Sequence, residues 1–448
     1  DRGPCSDRGE CHGVSLSIVI VGSGPSGFYA ADALLRKLPG CRIDIVDRLP
    51  TPYGLVRSGV APDHQSTKAV QRVFERTATR PNVRFLGHVN VGDDVTFGEL
   101  KECYDAVVVA IGCPIDRKLG IPGEELRGVY GSWSFVGWYN GHPGHRDLDP
   151  ELTGSAIAVI GNGNVAIDCV RVLAKTPAEM AKSDLCRHAA ETIARAPIEM
   201  LYLIGRRGPV QIGFTPIELA ELGQLEHCVP LLDGEALDRD IAAANPEEVT
   251  QKAKPLDILR SFAGNRLGDK PVSLRFIFWA APTAIIGAGH AQRLRLERTR
   301  LADGQAGHTG DHFELSVSTV ITAIGYIGAP FDGLPVDEKR GIVRNEEGRV
   351  EPGVYVVGWS KRGPSGTIPT NRADAMAVAD LIMADFKTGP TGKLGPEAID
   401  RILTARAVRP VGFAEWIRIN EAEMKRAADG RPREKFTRIS DLLAACRD

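Results

Sequence analysis

At 448 residues, 43% of them hydrophobic and 25% charged, the chain is long enough for two or three domains, each with its own core, and has the composition of an ordinary globular protein. A net charge of −2 gives no global electrostatic case for nucleic acid or an anionic membrane, so a charged partner has to be met by a local patch. No apolar run approaches the roughly 20 residues of a membrane-spanning helix, which argues against a transmembrane segment.

The opening stretch, Asp1–Ser15, is polar, with Gly, Pro and Asp, and is expected to be a disordered tail. LSIVIVGSG then reads as a buried strand passing through a glycine turn into the helix PSGFYAADALL. Gly22-x-Gly24-x-x-Gly27, with Pro25 and Ser26 inside the turn, has the spacing of a dinucleotide site. The first glycine allows the turn, the second lets a pyrophosphate approach the backbone, and the third lets helix and strand pack closely at the helix N-terminus. RIDIVD supplies a second strand ending in Asp47, 20 residues after Gly27, where a carboxylate would hold a ribose hydroxyl pair. YDAVVVAIG is a later strand of the same sheet.

A second strand–turn–helix unit opens with AIAVIGNGNVAID, where Gly161-x-Gly163-x-x-Ala166 encloses Asn162, Asn164 and Val165. Its next strand, IEMLYLIGRRG, ends in Arg206 and Arg207 rather than an acid, 40 residues after Ala166. A guanidinium there suits a 2′-phosphate. The first site therefore reads as FAD and the second as NADP(H). A flavin and a nicotinamide in one chain imply hydride transfer to the flavin N5.

VSLRFIFWAAPTAIIG and AQRLRLERTRL are expected to form an antiparallel pair appended to the second unit. VSTVITAIG and GVYVVGW return to buried parallel-strand character, and the chain from Gly395 is helical and charged. AIGCP (Ala110–Pro114) and AIGYIG (Ala323–Gly328) flank the second unit. The expected fold is α/β: two Rossmann-type, three-layer β/β/α dinucleotide-binding domains, with the NADP domain (114–324) inserted into a discontinuous FAD domain (16–113 and 325–448).

The nine cysteines, Cys5 and Cys11 among them, form no CxxC pair or zinc-like set. Reduced, mostly buried thiols and no metal site are expected. Without a redox CxxC or CxxxxC the disulfide-reductase chemistries are excluded. A flavin monooxygenase or quinone reductase, and an electron-transfer subunit like the reductase part of glutamate synthase, are the competing readings. The latter lacks its N-terminal cysteine cluster here.

Three segments settle the preference: PTPYGLVRSGVAPDHQSTK (Pro50–Lys68), IGRRGPVQIGFTPIELAEL (Ile204–Leu222) and VVGWSKRGPSGTIPTNRADA (Val356–Ala375). Together with both glycine turns they resemble the adrenodoxin reductases and their bacterial ferredoxin–NADP+ reductase relatives, from about Ser17 to about Met383. The resemblance implies FAD and NADP(H), and an acidic iron–sulfur protein of the ferredoxin type that takes electrons one at a time. It places Gly22–Gly27 and Asp47 on the FAD pyrophosphate and ribose, and Leu55 in a loop near the FAD. Trp359 and the backbone of Gly366, Thr367 and Ile368 would cover the isoalloxazine and its pyrimidine edge. Asn162, Gly163, Asn164 and Val165 would meet the NADP pyrophosphate, Arg206 and Arg207 its 2′-phosphate, and Glu218 and Gly366 would lie near its nicotinamide ribose and ring.

His64, with Glu221, is the pair expected near the electron-exit route, tuning or proton-balancing the flavin. An acidic partner calls for local positive charge, for which Arg57, Arg260 and Arg266 are candidates, with Lys361 and Arg362 besides. The relatives work in bacterial cytoplasm and in the mitochondrial matrix. The lack of a transit peptide favours the first, with a processed matrix chain as the alternative.

Overall fold

The computed structural model describes residues 15–302 and 304–447, so most of the expected N-terminal tail, with Cys5 and Cys11, lies outside the described residues. The chain divides into two compact units. The first comprises residues 1–54, 71–113 and 328–416, and the second 55–70, 114–327 and 417–448.

In the first unit β1 (Ser17–Val21) runs through the glycine turn into α1 (Pro25–Lys37), followed by β2 (Arg42–Asp47), β3 (Val83–Gly87) and β4 (Ala106–Val109). These four strands are parallel in the order β4-β1-β2-β3. Strand Val354–Val356 extends the sheet beside β4, also parallel, and Arg349–Glu351 closes that edge antiparallel. The β-branched runs SIVIV and AVVV are buried on both faces, as a covered parallel sheet requires. On one face Val19, Val21, Val107 and Val109 pack with Leu100, Tyr104, Ile399 and Leu403 of two helices. One of these, Pro396–Ala405, is pinned by Arg42–Glu397 and Arg84–Asp400 ion pairs.

The second unit carries β5 (Val129–Gly131), β6 (Ala156–Ile160), α2 (Asn164–Ala174), β7 (Met200–Ile204), α3 (Pro216–Leu222), β8 (Cys228–Leu231), α4 (Gly234–Ala243) and β9 (Val272–Ile277). A hairpin follows, β10 (Ala280–Ile286), β11 (Arg293–Ala302) and β12 (Gln305–Ser316), and then β13 (Thr319–Thr322). The parallel sheet has the order β5-β13-β6-β7-β9-β8, and β10-β11-β12 form a separate antiparallel sheet. Alternation along β6 explains the layering. Ile157 and Val159 face the helices, whereas Ala158 and Ile160 face Ile285, Leu294 and Leu296 of the antiparallel sheet. The second unit is thus three-layered, as expected.

Two sequence expectations are corrected. VSLRFIFWAAPTAIIG is not one antiparallel strand. Its first half, β9, is parallel in the main sheet, its second half, β10, belongs to the hairpin, and the break falls at Phe278 and Trp279. The boundaries also differ. Residues 55–70 and 417–448 group with the second unit rather than with the first. Buried charge pairing is the reason. Arg57 grips Glu423 through two hydrogen bonds (2.9 and 2.5 Å), Lys68 meets Asp184 at 2.6 Å, and Lys435 meets the same Asp184 at 3.1 Å. Glu423 is fully buried and also accepts from the Phe436 amide. Leaving any of these ions unpaired would be costly, so the segments hold together.

Candidate functional site

In the first unit the glycine turn is fixed by crowding on one side and open on the other. A Cβ at Gly27 would lie 2.1 Å from the Gly22 carbonyl oxygen, and one at Gly22 (φ +110°) 2.5 Å from the Ala110 oxygen. A Cβ at Gly24 would meet nothing within 4 Å. Gly24 is the N-cap of α1 with no side-chain cap, and Pro25 removes one of the donors there. The remaining helix-terminal amides lie next to open space, the arrangement that receives a pyrophosphate. Asp47 does not point freely. It accepts from the Ser23 amide and hydroxyl and from the Leu49 amide (2.9 Å), so it also braces the turn. A carboxylate has about four acceptor positions, which leaves capacity for a ribose hydroxyl.

In the same unit Gly358 (φ +70°) abuts Ser26, whose hydroxyl would lie 2.0 Å from a Cβ placed there. Trp359 follows, half-buried, its indole N–H donating to the Ser365 carbonyl (3.1 Å). Gly366 and Thr367 are exposed, and Ile368 is intermediate. The Thr367 amide donates to Thr370 Oγ1 (3.1 Å) and its carbonyl accepts from the Thr370 amide (3.1 Å). The turn thus engages both backbone groups of Thr367. Leu55 opens a short helix of the other unit.

The second unit repeats the cradle. A Cβ at Gly161 would fall 2.3 Å from the Ala323 oxygen, whereas one at Gly163, the uncapped N-cap of α2, would meet nothing within 4 Å. Asn162 Oδ1 is buried without a hydrogen-bond partner among the described residues. Asn164 is occupied, its Oδ1 accepting from the Thr215 amide (2.9 Å), and it braces α3 rather than facing outward unengaged. Val165 is half-buried at the first turn. Arg206 and Arg207 are both exposed just beyond β7, and among the described residues neither guanidinium has an ion-pair partner.

His64 and Glu221 meet, both within the second unit, at 2.9 Å. Glu218, one turn earlier on α3, lies 3.4 Å from the same imidazole nitrogen. The spacing of three on α3 puts both carboxylates on one face. Beneath them is Arg171 of α2, fully buried, which reaches Asp63 (2.8 and 3.1 Å), Asp168 (2.8 Å), Glu218 (3.4 Å) and Glu221 (3.3 Å). Lys175 adds a contact to Asp63 at 2.8 Å. Burial opposes ionisation of Asp63, but Arg171 and Lys175 override it and hold the carboxyl well below its ordinary range. Burial likewise works against protonation of His64. The Glu221 hydrogen bond and the Asp168 and Glu218 charges outweigh it, so its pKa is raised despite Arg171. Glu221 is lowered by His64 and Arg171 against its burial, whereas burial together with the Asp168 charge raises Glu218. Each member of the pair thus favours the charged form of the other.

Sequence reading found His64, Glu218 and Glu221 but missed Asp63, Asp168, Arg171 and Lys175. A signal was present: Asp168 and Arg171 lie three residues apart on the helix after the glycine turn, which puts them on one face, and Lys175 follows as its C-cap. Of the cations expected to meet an acidic partner, Arg57 is corrected, since it is buried against Glu423. Lys361 and Arg362 pair with Asp374. Arg260 is exposed but pairs with Asp257, and Arg266 is exposed and, among the described residues, hydrogen-bonds to backbone carbonyls.

The family profile described as pyridine nucleotide-disulphide oxidoreductase matches residues 16–199; the seven cysteines among the described residues are all free and buried. The chain is 38% identical to the mitochondrial NADPH:adrenodoxin oxidoreductase of Arabidopsis thaliana, over 96% of this chain and 95% of that protein. It is 41% identical to the NADPH-ferredoxin reductase FprA of Mycobacterium tuberculosis, over 95% and 98%. The solved structure of M. tuberculosis FprA in complex with NADPH superposes with a TM-score of 0.91 at 38% identity, covering 97% of this chain and all of that one. No helix among the described residues is long and apolar enough to cross a membrane.

Proposed function

This chain belongs to the family of NADPH:adrenodoxin oxidoreductases and NADPH–ferredoxin reductases, and on that premise we infer that it is an FAD-dependent NADPH:ferredoxin oxidoreductase. The observation that carries the reading is the pair of separate dinucleotide cradles, each open above its second glycine, with the second followed by two exposed arginines that have no ion-pair partner among the described residues. The Gly22–Gly27 turn and Asp47 hold FAD, with Trp359, Gly366 and Ile368 over its ring system. Asn162, Gly163 and Val165 line the NADP pyrophosphate, and Arg206 and Arg207 take the 2′-phosphate. Bound flavin supplies the conversion of a two-electron hydride into single electrons, which an iron–sulfur acceptor requires.

The protein's own part in that chemistry is binding, orientation and charge. Glu221, hydrogen-bonded to His64 Nε2, favours the protonated form of that imidazole, with Arg171 and Asp63 fixing the position of the pair. Arg260 and Arg266 are offered as the contact for an acidic partner, which makes reduction of that partner, and not of a small dye, sensitive to salt. Electron delivery from NADPH to a ferredoxin is the test of the whole reading.

The pair makes a pH-dependent prediction. A raised His64 pKa contributes stability that is fully present below the ordinary value of 6.5 and is lost as pH rises through the folded-state value. A lowered Glu221 pKa contributes stability present above 4.5 and lost as pH falls through its folded-state value. Glu221→Gln is therefore expected to lower the melting temperature most between those two values. At alkaline pH the deficit should shrink to the part owed to Arg171. A deficit that is flat, or grows, as pH rises past neutrality would show that His64 carries no charge in the folded state.

A further inference from the structure

We propose that Trp279 and Thr299 are positioning residues for recognition of the NADPH 2′-phosphate, acting by clamping the backbone of the Arg206–Arg207 turn. The inference rests on the NADP(H) reading of the second cradle. It concerns what makes two exposed, flexible arginines an effective anion site.

Beyond the end of β7 the backbone stays tied. The Gly205 amide donates to the Ile277 carbonyl (2.9 Å) and the Ala280 amide to the Gly205 carbonyl (3.1 Å). The next two carbonyls are taken by the proposed residues. Thr299 Oγ1 donates to the Arg206 carbonyl (2.7 Å), and the Trp279 amide donates to the Arg207 carbonyl (3.3 Å). Gly208 then lies flush on the indole of Trp279, where a Cβ would come within 2.3 Å of the ring. Three successive residues are thus held, two through carbonyls and one by close packing.

Trp279 occupies an unusual conformation for this role. Its φ is +55°, a left-handed position that bulky side chains seldom adopt and that persists only where the surroundings over-determine it. The determinants are visible. Its carbonyl accepts from the Thr299 amide (3.0 Å), and its indole N–H donates to Asp240 of α4 (2.8 Å). Thr299 is itself buried on β11. Trp279 and Thr299 therefore brace each other as well as the arginine turn. An arginine side chain loses much rotamer freedom when it binds. Fixing its backbone in advance removes part of the remaining ordering cost, and the gain goes only to ligands that engage the guanidinium.

The test uses the flavin-loaded enzyme and two probes that differ by one phosphate, 2′,5′-ADP and 5′-AMP, with binding measured by calorimetry. Thr299→Val removes the hydroxyl donor with little change of shape. It is expected to weaken 2′,5′-ADP about fivefold, the effect of one lost neutral hydrogen bond, and to raise the KM for NADPH alike. Binding of 5′-AMP, the KM for NADH and kcat should not move, and Thr299→Ser should restore the loss. In an Arg206→Ala/Arg207→Ala background Thr299→Val should have no further effect. Should Thr299→Val fail to fold, Trp279→Phe, which keeps a ring against Gly208 but loses the Asp240 bond, makes the same comparison. Equal loss of both probes, or no loss of either, overturns the proposal. Wild-type enzyme that binds the two probes equally overturns the NADP(H) reading itself.

Discussion

Replacing Arg206 and Arg207 together by alanine is expected to raise the KM for NADPH roughly 30- to 900-fold, from about 2–4 kcal/mol of lost charge-assisted pairing with the 2′-phosphate. Both side chains are exposed beyond β7 and lack ion-pair partners among the described residues. The substitution therefore leaves no buried charge behind and should not unfold the chain. The 2′-phosphate is remote from the hydride that moves, so its contacts are equally strong before and during the reaction. Losing such uniform binding raises KM and leaves kcat nearly unchanged. NADH has no 2′-phosphate and should be used as before, so the ratio of kcat/KM for the two nucleotides is the quantity to measure. An unchanged preference for NADPH would remove the role given to these arginines.

Arg171→Met carries the second large effect, a loss of about 3–5 kcal/mol of folding stability. Arg171 is fully buried and serves Asp63, Asp168, Glu218 and Glu221 at once. Methionine fills much of the space but leaves the four carboxylates, among the described residues, with Lys175 and His64 as counter-charges. Uncompensated carboxylates are relieved by protonation, so the deficit should shrink as pH falls. Wild type, whose Asp63 is held ionised by Arg171 and Lys175, should lose stability over the same range. Denaturant unfolding of both proteins at several pH values reads this directly. A deficit under about 1 kcal/mol, typical of an exposed ion pair, would mean that the cluster is solvated and Arg171 is not its keystone.

The two glycine turns were legible because everything that defines them is local. Strand, glycines and helix lie within about a dozen consecutive residues, and the terminal acid or arginines mark the end of the next strand. The charge cluster was only half legible. His64 and Glu221 came from family resemblance, whereas Arg171 looked like one more charged residue on a helix. Its burial is set by Asp63, 108 positions earlier in the chain. The C-terminal segment was illegible for the same reason. FAEWIRINEAEMKR reads as a solvated helix, yet Glu423 within it is wholly buried against Arg57, 366 positions away. A charge in a sequence is assumed to face water until its partner is known. The break at Trp279 was hidden differently. A continuous apolar run reads as one strand, and nothing in FIFWAAP announces a tryptophan with positive φ.

The central claim, that electrons enter from NADPH and leave singly to an iron–sulfur protein, is tested most directly on the purified protein without oxygen. NADPH is added first, then a ferredoxin, while flavin bleaching and ferredoxin reduction are followed together. Rapid bleaching by NADPH, little by NADH, and onward reduction of the ferredoxin that weakens as salt rises is the predicted result. Bleaching that leaves the ferredoxin oxidised, and recovers only when oxygen or a quinone is admitted, would contradict it.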